Sequence, residues 1–168
     1  MKLMIAPVLC LLLYPAASLA QKQLPKSARQ LLSRRLPGWR FVDVSPEVRK
    51  FFKEEMKGKS PALITGDFDG DKRLDYAAIV ERGHVAPSER RFYLAIFLRR
   101  GAGYKMHFIK RPNGEYIYLA KKGSSDYNYE TDKEITYAND SICTGIFEKG
   151  GSSFVYYKGK FVSFISSD

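Results

Sequence analysis

Cysteine is nearly absent from this chain, and histidine with it. Of the two cysteines, Cys10 falls inside an N-terminal apolar run, so the rest of the chain keeps Cys143 alone and can form no internal disulfide. A lone thiol between Ile142 and Ile146 reads as a small buried hydrophobe. His84 and His107 have no partner at metal-ligand spacing, which excludes a His/Cys zinc site. No Gly-x-Ser-x-Gly elbow is present, and no glycine-rich phosphate loop precedes a helix. No enzyme is therefore expected. Missing too is any apolar run long enough to cross a bilayer: Leu3–Tyr14 spans only about a dozen residues where a span needs ~20. With Lys2 before it and Ser18-Leu19-Ala20 after it, that run reads as a signal peptide over residues 1–20, cleaved after Ala20. A secreted or periplasmic chain is expected, with no transmembrane segment after signal removal and a single domain over residues 21–168. An exported chain without a disulfide depends on its core, or on a metal, for stability.

The core material is present. The chain has 168 residues, 45% of them hydrophobic and 14% aromatic, and the aromatics are mainly Tyr and Phe, which favour strands. Ser27 to Leu36 reads as a helix with Ser27 as N-cap and Pro37-Gly38 as its stop. Ser45-Pro46-Glu47 starts a second helix, with a capping hydroxyl, a proline at the first position and an acid at the positive end of the dipole. Val48, Phe51, Phe52 and Met56 give it an apolar stripe. From Ser60 onward strands dominate. Phe92 to Arg99 is almost continuously apolar, so both its faces are covered. Pro112-Asn113-Gly114 and Lys158-Gly159 read as turns. The expected fold class is α+β: two N-terminal helices packed on a mainly antiparallel β-sheet meander of six to eight strands.

One stretch carries specific chemistry. Asp67, Asp69, Asp71 and Asp75 stand at relative positions one, three, five and nine of a turn between two apolar strands, Ala62–Thr65 and Tyr76–Arg82. Carboxylates so close repel unless a cation sits among them. Calcium takes six to eight oxygens, and aspartates at alternate positions of a tight turn can point at one centre. Asp67, Asp69 and Asp71 are the expected ligands, with the backbone carbonyl of Arg73, and Asp75 closing the site directly or through water. Gly70 lets the chain bend between them. Magnesium is disfavoured because it rarely takes an all-protein cage. The loop is not an EF-hand: Lys72 stands where that loop needs glycine and Ala78 where it needs a bidentate glutamate.

Gly66-Asp67-Phe68-Asp69-Gly70-Asp71 with Asp75 resembles the calcium loop of the FG-GAP and VCBS-type repeats, found in integrin-like β-propeller blades. The resemblance covers Leu63 to Val80, in one copy, and implies calcium-ligand roles for Asp67, Asp69, Asp71 and Asp75. Where that family carries a glycine after the third aspartate, this chain has Lys72. A left-handed backbone there costs lysine about 1 kcal/mol relative to glycine. One copy is too little for a propeller, which needs several four-stranded blades.

Two further patterns bear on partners. Asp126, Asn128, Glu130, Asp132 and Glu134 alternate as on one strand face, which reads as a solvated surface. The formal net charge is +10, carried by scattered pairs such as Arg34-Arg35, Arg99-Arg100 and Lys121-Lys122. No run is dense enough for a nucleic-acid arm. The expected function is an exported small binding or structural module with a calcium-stabilised loop and an unknown protein or anionic polymer as partner. The alternative is a basic-surface binder of anionic envelope polymers or glycans in which the loop holds no metal.

Overall fold

The computed structural model describes residues 23–83 and 91–166. The expected signal peptide, Cys10, His84 and Arg90 lie outside the described residues. Among the described residues eleven strands and two helices form: α1 (Lys26–Arg35), β1 (Trp39–Phe41), α2 (Pro46–Glu54), β2 (Leu63–Gly66), β3 (Asp75–Arg82), β4 (Phe92–Arg100), β5 (Gly103–Lys110), β6 (Tyr116–Ala120), β7 (Ser125–Asn128), β8 (Lys133–Thr136), β9 (Ser141–Ile146), β10 (Gly150–Tyr157) and β11 (Lys160–Ser166).

The expected α+β meander is overturned. Of the described residues 48% are strand and 14% helix, in two antiparallel sheets, one of them a curled half-barrel. The first sheet runs β1-β3-β4-β5, with β2 also paired to β3; the second runs β6-β9-β10-β11-β7-β8. β1 and β2 share one edge of β3 end to end, β1 on Val80–Arg82 and β2 on Asp75–Ala78, and α2 is the excursion between them.

The continuous apolar character of β3 and β4 explains the layering. Successive side chains alternate between faces. Ala78, Val80, Ala95 and Phe97 pack under α1, with its Ala28 and Leu32, while Ala77, Ile79, Leu94, Ile96 and Leu98 join Ile117, Ile142 and Phe154 of the second sheet. One helix covers the outer face. The other face needs a whole second sheet, and α2 fills that same inter-sheet core through Val48 and Phe52. The two helices therefore do not form a layer together. Ser45 caps α2 as expected, its Oγ accepting from Val48 N at 3.3 Å. α1 starts one residue before the expected Ser27 and has no side-chain cap.

The switch between sheets comes at Pro112–Gly114. Those residues read as a hairpin turn, yet β6 pairs with β9 rather than β5. A Cβ on Gly114 would lie 2.6 Å from Thr144 Cβ and 2.8 Å from Gly145 N, and Glu115 N donates to Gly145 O at 2.8 Å. The glycine lets the connection press directly onto β9. Residues 126–134 are not one strand either: β7 and β8 form a hairpin with Asp126 opposite Ile135. Asp126 turns toward the buried Tyr137 and Ser153, and its Oδ2 accepts from Tyr137 Oη at 2.8 Å and Ser153 Oγ at 3.1 Å. Cys143 is buried and free, with Sγ 3.3 Å from Ser153 Oγ.

Candidate metal centre

The aspartate loop joins β2 to β3 at one end of the first sheet. Its shape follows from short-range hydrogen bonds that carboxylates make to backbone N–H groups of turns. Asp67 Oδ1 accepts from Gly70 N at 2.9 Å and Oδ2 from Lys72 N at 3.0 Å. Asp69 Oδ1 accepts from Asp71 N at 3.3 Å, and Asp71 Oδ1 from Arg73 N at 2.9 Å. The wrap needs two left-handed residues, Gly70 at φ 81° and Lys72 at φ 64°. The glycine is required twice over, since a Cβ there would also lie 2.6 Å from Asn139 Oδ1. Phe68, between the acids, is fully buried and anchors the turn in the core.

Three of the expected ligands come together. One carboxylate oxygen each from Asp67, Asp69 and Asp71 lies within 4.8 Å of the others. An oxygen that accepts one N–H keeps a second lone pair, so the turn-forming bonds leave donor capacity for a cation. Asp75 is not brought to that point. It is fully buried, Oδ2 accepts from Phe68 N at 3.0 Å and Oδ1 from Arg99 N at 2.7 Å. It ties the loop to β4 from beneath. Burial pushes its pKa up to about 6, against the two amide bonds and with a smaller contribution from the charges of Asp69 and Asp71. Arg73 lies at the loop's exposed exit, its N–H committed to Asp71.

Two features were invisible in the local sequence. Arg100, at the end of β4, pairs with Asp69 through Nη2 and with Asp71 Oδ2 through Nη1 at 3.2 Å. The carboxylates therefore already have a counter-cation, and the hydrogen bond to Asp69 holds the guanidinium pKa above its ordinary value. Asp140, from the β8–β9 loop of the second sheet, closes the other side: Oδ2 accepts from Asp67 N at 3.2 Å and Lys121 Nζ at 3.0 Å, and Oδ1 from Lys122 N at 3.1 Å. Burial opposes the ionisation of Asp140, but those bonds outweigh it and hold its pKa below the usual carboxylate value. Arg100 stands 29 residues along the chain from Asp71 and Asp140 stands 73 from Asp67. Only the Arg99-Arg100 doublet after an apolar strand hinted at the first, and nothing local hinted at the second.

No family model matches the chain. No curated protein matches it, and no solved structure does. The likeness to FG-GAP and VCBS-type loops thus rests on residues 63–80 alone. No helix among the described residues is long and apolar enough to cross a membrane.

Proposed function

We propose that this protein is a small exported binding or structural module whose Asp67–Asp69–Asp71 loop takes a calcium ion. The observation that carries the reading is the approach of one oxygen from each of the three acids to within 4.8 Å. Hard oxygen donors on a flexible turn suit calcium better than magnesium. The Arg73 carbonyl adds a ligand at the exit, and Asp75 supports the loop from beneath. The ion displaces the Arg100 guanidinium, which is 42% exposed and also donates to Arg99 O at 2.7 Å. A divalent ion offsets the three carboxylates more fully than one guanidinium does. The ion's role is to lock β2 to β3 and to the Asn139-Asp140 loop, not to catalyse. The test is calorimetric titration of calcium into chelator-treated protein. Binding heat that vanishes in an Asp69→Asn/Asp71→Asn variant supports the reading; silence in the wild type overturns it.

A second reading is favoured by the Arg100 ion pairs themselves. Here Arg100 is the permanent cation of the loop and no metal enters. The function then rests on the basic surface, and the partner is an anionic polymer attracted by a net charge of +10. Salt-sensitive retention on a polyanion column together with calcium indifference would favour it.

A further inference from the structure

Beside the aspartate loop, on the outer face of the first sheet, a cleft of about 480 Å³ is lined by Arg73, Leu74, Tyr76, Arg99, Gly101 and Tyr104. That volume lies in the roughly 300–1,000 Å³ range of small-ligand sites, in an open depression and not an enclosed cavity. Its floor follows from strand register. Arg99 of β4 is opposite Tyr104 of β5, and Tyr76 of β3 is opposite Phe97, one same-face position before Arg99 on β4. These residues share the face that carries α1, beyond the area the helix covers. Arg73 and Leu74 form the lip, and Leu74 is 53% exposed.

The chemistry of the floor is unusual in one respect. Among the described residues the Arg99 guanidinium has no carboxylate partner. Its Nη1 donates to Tyr104 Oη at 3.1 Å, and its Cζ lies 5.1 Å from the Tyr104 ring centroid. Neither Arg99 nor Arg73 pairs through its side chain with a carboxylate among the described residues. The loop carboxylates nearest them are held by Arg100 and by loop amides. Tyr76 and Tyr104 meet edge to face, centroids 5.9 Å apart at 85°. The two rings form a corner, not a pair of parallel plates. A puckered sugar ring lays its apolar face on one ring and its edge on the other, while its hydroxyls meet phenols and guanidinium N–H groups. A fork of N–H donors on Arg99, with Arg73 at the lip, matches a carboxylate.

We propose that this cleft binds an acidic sugar, its carboxylate on Arg99 and Arg73 and its ring against Tyr76 and Tyr104. The site goes beyond the calcium reading and does not depend on it, because Tyr76, Arg99 and Tyr104 stand on strands. Calcium in the adjoining loop would add positive charge beside the lip and tighten the same complex.

The test is titration of trigalacturonic acid into the full chain, with maltotriose and inorganic phosphate as comparison probes, in chelator and again with calcium. The expected result is saturable binding of the acidic trimer that weakens with salt, with maltotriose and phosphate each at least tenfold weaker. Arg99→Gln should weaken the acidic trimer by about tenfold or more, as loss of a charged hydrogen bond at a half-buried site does, and, independently, the exposed Arg73→Ala by about 1.5- to 5-fold, as loss of an exposed ion pair does. Arg73→Ala removes a lip side chain with no partner among the described residues, so its folding is the control for Arg99→Gln. The acidic trimer should still bind an Asp69→Asn/Asp71→Asn variant in chelator, which separates this site from the metal centre. No binding of the trimer, equal binding of phosphate or maltotriose, or indifference to both arginine substitutions would each overturn the proposal.

Discussion

Removing Arg100 tests how the loop tolerates its own charge. Arg100→Met keeps the aliphatic stem and deletes the guanidinium. With the guanidinium in place the Asp69 side chain is 3% exposed and that of Asp71 32%. Two carboxylate oxygens within 4.8 Å of each other, each standing for a unit charge, repel by at least about 3.5 kcal/mol at an effective dielectric near 20, and three such charges share the turn. Water at the Asp71 rim and the loop amides absorb much of this. A charged hydrogen bond to a buried partner contributes roughly 1.5–3 kcal/mol, and an exposed ion pair nearer 0.2–1 kcal/mol. The Asp69 pair is of the first kind and the Asp71 pair closer to the second, so the expected loss is about 2 kcal/mol. For a chain of this size that corresponds to a melting temperature lower by roughly 4–8 °C in chelator. If calcium takes the guanidinium's place, millimolar calcium should restore most of the loss, and Arg100→Met should bind calcium more tightly than wild type because no cation has to be displaced. Differential scanning calorimetry with and without calcium reads both effects. A variant within 1 °C of wild type in chelator would refute the charge argument. A variant that is destabilised but deaf to calcium would refute the exchange.

Lys72→Gly should stabilise the fold by roughly 0.5–1 kcal/mol, since relief of a left-handed residue (about 1–2 kcal/mol) exceeds the added chain entropy (about 0.4–1 kcal/mol); a higher urea midpoint at unchanged slope checks it. Asp140→Ala should cost about 1–3 kcal/mol by stripping Asp67 N and Lys122 N of their acceptor, and amide exchange should accelerate in the aspartate loop as well as at Lys122. Asp75 gives a pH signature. Its native pKa is raised to about 6 from an unfolded value near 3.9, so the folded state takes up its proton first. Stability therefore increases as pH falls from about 7 toward 4, and the ionised form at neutral pH costs roughly 2–3 kcal/mol relative to the protonated one. The pH dependence of wild type minus that of Asp75→Asn, followed by urea melts between pH 4 and 7 in chelator, should show that gain; a flat difference would contradict it.

Much of the element content was legible because its causes are local. Ser45-Pro46 starts α2 through a cap and a fixed φ, and the apolar run of β4 announces cover on both faces. The layer arrangement was not legible. Pro112-Asn113-Gly114 has the chemistry of a hairpin turn, and only the close approach of Gly114 to Thr144 and Gly145 sends the chain to another sheet. The alternating acids from Asp126 to Glu134 hid a hairpin because polar turn residues and polar surface positions look alike in a pattern. At the site, the convergence of Asp67, Asp69 and Asp71 followed from their two-residue spacing. The turning of Asp75 to the amides of Phe68 and Arg99 did not, because that depends on β4 lying alongside. Arg100 and Asp140 arrive from distant strands, so no window on the loop contains them.

On the proposed reading, three aspartates of one turn hold calcium in exchange for a built-in guanidinium. Isothermal titration of calcium into chelator-treated wild type, with the Asp69→Asn/Asp71→Asn variant alongside, tests it most directly. One calcium per chain, bound by wild type and lost in the variant, is the predicted result. No binding heat in wild type, accompanied by an unchanged melting temperature in millimolar calcium, would contradict it and leave Arg100 as the loop's only cation.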